Sequence, residues 1–147
     1  MDIGLMGIGA VLGLSAVGSA LGAGAAGMAA VGAWKRCFMQ NKAAPFMLIA
    51  FVGAPLTQTI YGFIVMGALK TAATRAAGAL NPSIVLGLGV FGGLAIGFSA
   101  WFQGAAGASA ADAFGETGKG FANYMMVLGL LETIAIFTMV FILGLVG

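Results

Sequence analysis

The sequence predicts an all-α membrane protein with four transmembrane helices, arranged as two fused, repeated hairpins. Three observations carry that prediction. The chain of 147 residues is 61% hydrophobic and 7% charged, with a mean hydropathy of +1.10, far more apolar than a soluble domain. Its apolar stretches fall at residues 3–33, 45–69, 83–111 and 121–146, and each reaches the ~20 residues that a helix needs to span a bilayer. The first stretch also recurs in the third. A slide of 84 positions lays GAVLGLSA, Gly9 to Ala16, over GLAIGFSA, Gly93 to Ala100, matching Gly9 with Gly93, Gly13 with Gly97 and Ser15 with Ser99. One membrane domain over 1–147 follows, with hairpin one at 1–69 and hairpin two at 83–147.

The first span opens MDIGLMGIGA. Without a basic n-region this reads as a retained span rather than a cleaved signal. It carries small residues at four-residue spacing, Gly9 with Gly13 and Gly18 with Gly22, and the third span does the same at Gly89, Gly93 and Gly97. Glycine costs about 1 kcal/mol of helix propensity against alanine, but in lipid it lets helix backbones approach closely. The stripes predict an inner layer of tightly packed first and third helices, with the second and fourth outside. The first and third spans are also longer than a bilayer needs, so they project or tilt.

The second span contains GAPLTQ, in which Pro55 lacks a backbone donor and strains the preceding turn. A kink is expected there, turning a backbone carbonyl, that of Ala54, out of the helix ladder. The fourth span, LGLLETIAIF at its centre, holds Glu132, a carboxylate in an otherwise lipid-compatible run. An ionisable group inside a membrane span points to function.

The remaining charged residues lie at the N-terminus or in the connections WKRCFMQNKAA, KTAATRAAGALN and DAFGETGKG. Lys35, Arg36, Lys42 and Lys119 in the first and third connections outnumber Lys70 and Arg75 in the second, so the positive-inside rule places both termini outside the cytoplasm. Asp112, Glu116 and Lys119 read as a solvated loop. Cys37 is the one cysteine and histidine is absent, which excludes an intrachain disulfide and a Cys or His metal site. Cys37 reads as a loop-edge thiol. The net charge of +2 is too small to indicate nucleic acid.

Glu132 lies eleven residues into the fourth span, about 16 Å at ~1.5 Å per residue. Gln103 precedes Asp112 by nine, and Thr57 and Gln58 follow Pro45 by twelve and thirteen. These groups therefore share a depth near the bilayer midplane. No Lys or Arg lies within the spans, so Glu132 must be neutralised by a proton or by a bound cation. The hydroxyl and amide oxygens of Thr57, Gln58 and Gln103 favour the cation, because hard ions take oxygen ligands. Tyr61, one turn beyond Thr57, is placed to hold the carboxylate in a ligating geometry.

These residues resemble the sodium-type rotor-ring proteolipid, the K or c subunit, of V-type rotary ATPases. Two fused hairpins, a carboxylate on the fourth helix and PLTQTIYGF carry the resemblance. It implies Na⁺ ligands from the Ala54 backbone carbonyl, Thr57, Gln58, Gln103 and Glu132, with Tyr61 hydrogen-bonded to the carboxylate. It also implies a closed ring of identical subunits, helices 1 and 3 inside and 2 and 4 outside, in a cell membrane. A stator subunit bearing an arginine would meet the rim, and central stalk subunits the cytoplasmic face. Such a subunit is not itself an enzyme and needs no organic cofactor. Leu56 stands where members often have glycine, which touches how closely the second helix meets its neighbour. The alternatives are a proton-carrying ring of the same family and a small four-helix cation or drug exporter. An exporter is expected to place the acid on its first helix.

Overall fold

The computed structural model describes residues 3–75 and 79–147. Asp2, the start of the chain, and residues 76–78 of the second connection lie outside the described residues. The described residues form helices α1 (Ile3–Met39), α2 (Leu48–Gly53), α3 (Thr57–Thr74), α4 (Pro82–Thr117) and α5 (Phe121–Val146). A 3₁₀ turn, Ala54–Leu56, joins α2 to α3, so the two make one span of 27 residues, Leu48–Thr74. Four helices are thus long and apolar enough to cross a membrane.

Helices α1 and α4 run six residues beyond the apolar stretches read from the sequence. Much of what read as connecting loop is therefore helix. Lys35 and Arg36 lie on α1, Lys70 on α3, and Asp112 and Glu116 on α4. Asp112 is not a loop residue but the partner of Arg36 in an ion pair between α1 and α4. Cys37 is likewise no loop-edge thiol: it is buried on α1, with its Sγ donating weakly to Gly115 O at 3.7 Å. At ~1.5 Å per residue, the 37 residues of α1 and the 36 of α4 outreach a ~30 Å hydrocarbon core by several turns.

The ends are set by local chemistry. Asn81 caps α4, its side chain accepting from Ser83 N at 2.9 Å, and Pro82 occupies the first turn, where its missing N–H is no loss. Gly118 and Gly120, with φ of 65° and 84°, turn the chain from α4 into α5, a conformation that favours glycine.

Helices α1 and α4 pack backbone against backbone. A Cβ at Gly18 would overlap the Gly97 backbone, one at Gly104 the Gly22 backbone, and one at Gly89 the Gly7 backbone. The close pairing of the first and third spans is thus observed, but the seam differs from the one expected. Gly9 and Gly13 face open space, and Gly7 takes their place. The contact stripe must stay on one face of a 3.6-residue helix, and Gly7, Gly18 and Gly22 do so.

Two buried clusters flank the middle of the molecule. Phe51, Leu48, Ala111, Phe114 and Leu128 form one, with Phe51 against Phe121 at a centroid distance of 5.3 Å. Val11, Val65, Leu69, Ile96, Ala135 and Ile142 form the other. The polar residues sit between them.

Candidate ion-binding site

Pro55 positions the site. It breaks the helical ladder of the second span, and the chain passes from α2 to α3 through the 3₁₀ turn. Pro55 itself is buried, packed toward Gly22 of α1, while Leu56 is 52% exposed.

Thr57, Gln58, Tyr61, Gln103 and Glu132 converge. Thr57 Oγ1 donates to Glu132 Oε1 at 2.7 Å and lies 3.0 Å from Ala54 O and 3.1 Å from Gln58 Oε1. Tyr61 donates its hydroxyl to the same Glu132 Oε1 at 2.7 Å. Gln58 Nε2 donates to Gln103 Oε1 at 2.7 Å. Gln103 Nε2 donates to Leu128 O at 2.9 Å and reaches Glu132 Oε2 at 3.5 Å. Helices α3, α4 and α5 thus each contribute, together with the carbonyl at the turn.

Gln58 and Gln103 are fully buried, whereas Thr57, Tyr61 and Glu132 are only partly covered. The site is anchored inside the protein by the two glutamines, and its carboxylate end is partly open at the surface of the molecule. A charged carboxylate at such an opening is poorly solvated wherever lipid faces it. The expense of that state in a membrane is several kcal/mol or more.

Protons and acceptors do not balance here. Thr57 has one hydroxyl hydrogen and three oxygen neighbours within 3.1 Å. Donating to Glu132 leaves its lone pairs facing Gln58 Oε1 and Ala54 O. The Ala54 carbonyl also accepts from Thr57 N in the 3₁₀ turn, so it is not turned out of the helix ladder, contrary to expectation, but keeps one lone pair for the site. A cluster of oxygens exceeding its hydrogens is suited to a small hard cation. Among the described residues there is no group of three His, Cys, Asp or Glu that could hold a metal, so any cation here is held by neutral oxygens and a single carboxylate.

Sequence reasoning missed two residues of this region. Ser99 Oγ donates to Leu131 O at 2.7 Å, pinning α5 to α4 one residue before Glu132. Its repeat partner Ser15 instead donates back to Val11 O at 2.7 Å on its own helix. The repeat marked both serines without revealing that they differ. Ser19 of α1 is also buried, and no partner for its hydroxyl is found.

No curated protein matches the chain. Residues 86–145 match the family model for the C subunit of ATP synthase. That segment runs from the first turns of α4 to the end of α5 and includes Gln103 and Glu132. The match covers fewer than half of the 147 residues and likens the second hairpin, with Glu132 on its last helix, to a C subunit of ATP synthase.

Proposed function

We propose that the chain is the Na⁺-carrying rotor-ring subunit of a V-type rotary ATPase, moving one ion per subunit at Glu132. The observation that carries this reading is the excess of oxygen around Thr57, with Ala54 O, Gln58 Oε1 and Glu132 Oε1 all within 3.1 Å. A cation among them would turn acceptor-to-acceptor contacts into ligation. The Gln103 amide joins from α4 through its bond to Gln58. Tyr61 donates to the same Glu132 Oε1 as Thr57 and fixes the carboxylate's orientation.

The mechanism follows from charge. A loaded site is neutral, so it can face lipid while the ring turns. An emptied site carries an anion on a partly covered, apolar surface and stays in contact with polar surroundings until it is refilled. Each subunit would load from one half-channel of a stator and unload into another. A stator arginine would attract the emptied carboxylate, since this chain has no Lys or Arg within the apolar stretches 3–33, 45–69, 83–111 and 121–146. Identical subunits would close the ring with α1 and α4 inside and the second span and α5 outside. The α1–α2 and α4–α5 connections would face the cytoplasm and the central stalk, with both termini on the other side.

A proton-carrying ring is the second reading. Glu132 Oε2 has only the 3.5 Å contact from Gln103 Nε2, which leaves room for a proton on that oxygen. Labelling Glu132 in the assembled complex with a hydrophobic carbodiimide, which attacks protonated membrane carboxyls, separates the two. Protection by Na⁺ at fixed pH is expected. Labelling indifferent to Na⁺ would overturn the sodium reading in favour of the proton.

A further inference from the structure

Ser19 of α1 is 2% exposed, and its Oγ is the buried side-chain oxygen or nitrogen left without a hydrogen bond among the described residues. Such an atom is expensive to keep, because water is excluded and nothing replaces it. Two contacts fix what lies opposite. Gly62 of α3 packs against Ser15 of α1, and Pro55 packs against Gly22. The two spans run antiparallel. Four residues on from Ser15 is Ser19, and four residues back from Gly62 is Gln58, so the register sets Ser19 level with Gln58. The pair Gly22 and Pro55, three residues further along each helix, confirms that register. Ser19 is also the position that the internal slide of 84 lays on Gln103.

Gln58 has a matching vacancy in its bonding. Its amide carries two hydrogens, of which one is held by Gln103 Oε1. Its Oε1 faces Thr57 Oγ1 at 3.1 Å, on the side where the cation would bind. A reversed amide would present NH₂ to the ion in place of an oxygen. We propose that Ser19 is a positioning residue for the transported ion: in the loaded site its hydroxyl accepts the second amide hydrogen of Gln58, locking the amide with oxygen toward the ion. Ser19 touches no ion itself. It acts by making one of two amide orientations the favoured one. This inference rests on the sodium reading above.

The test uses Na⁺ protection of Glu132 against carbodiimide in the membrane-bound complex, at fixed pH, for wild type, Ser19→Ala, Ser19→Cys and Ser15→Ala. Ser15→Ala removes a hydroxyl one turn away that is already bonded to Val11 O. The expected result is wild-type protection in Ser15→Ala. Ser19→Ala should need a five- to twentyfold higher Na⁺ concentration for half-protection, with an unchanged labelling rate in the absence of Na⁺. Ser19→Cys, keeping the shape with a weaker acceptor, should fall between and serves if Ser19→Ala does not assemble. Half-protection in both Ser19 variants within twofold of wild type overturns the role of Ser19 and leaves the sodium reading standing. An equal loss in Ser15→Ala and Ser19→Ala also overturns it, as a general packing effect. Failure of Na⁺ to protect wild type overturns both readings.

Discussion

Thr57 and Glu132 are joined by a 2.7 Å hydrogen bond, and they are also each other's counterparts, since a slide of 75 positions lays the second span on the fourth and Thr57 on Glu132. The two halves of the repeat meet at equivalent positions, one as donor and the other as acceptor. Removing the donor separates its contribution from that of the charge. A hydrogen bond to a charged group contributes about 1.5–3 kcal/mol, so Thr57→Ala should weaken Na⁺ protection of Glu132 by roughly tenfold to a hundredfold. Thr57→Ser, which keeps the hydroxyl, should remain within a few-fold of wild type.

Glu132→Gln removes the only formal charge in the apolar stretches 3–33, 45–69, 83–111 and 121–146. Ion transport by the complex should fall to background and carbodiimide should no longer incorporate at this position, while the protein still inserts and assembles. Normal ATP-driven transport by the variant would reject a carboxylate-based carrier.

Tyr61→Phe keeps the ring and its packing but deletes the donor to Glu132 Oε1. The carboxylate then gains a rotational freedom that the bound ion must remove. Na⁺ affinity, read from the protection assay, should drop by roughly tenfold or more, corresponding to a hydrogen bond to a charged group worth about 1.5–3 kcal/mol.

The seam between α1 and α4 predicts a sharp contrast among glycines. Gly18→Ala and Gly104→Ala drive a methyl into the opposite backbone and should lower the protein's thermal stability in detergent by several degrees or prevent its accumulation. Gly67→Ala, on α3 with open space around it, should be neutral or slightly stabilising because alanine is the better helix former by about 1 kcal/mol. Equal behaviour of the three variants would contradict close backbone packing.

The ion pair of Arg36 with Asp112 joins two side chains that are 42% and 55% exposed. Its contribution should be small, about 0–1 kcal/mol, and screened by salt. Asp112→Asn should therefore change thermal stability by no more than a degree or two, with the difference shrinking further at high ionic strength.

Much of this was legible in the sequence because it depends on pattern. Hydropathy gave the spans, and counting residues from each end put Gln103, Thr57, Gln58 and Glu132 at one depth. Pro55 marked the break in the second span by its covalent structure alone. What stayed hidden depends on rotation about a helix axis. Gly9 and Gly13 have the right spacing but the wrong azimuth, and only packing shows that Gly7 replaces them in the seam. The helical extensions carrying Arg36 and Asp112 escaped because charge reads as loop, although a helix emerging from a bilayer tolerates charge well. Ser19 looked like one more small residue, and its unusual state appears only once its surroundings are known.

Hairpin one has a threonine where hairpin two has its acid. Under the proposed function this acts as a gear reduction. A wheel of such protomers would dispatch half as many cations per revolution as an equally wide wheel built from single hairpins with one acid each. Since lifting each charge against 100 mV takes about 2.3 kcal/mol, the smaller quota lets the same torque work against a steeper voltage. The machine trades flow for pressure, which suits a pump better than a generator.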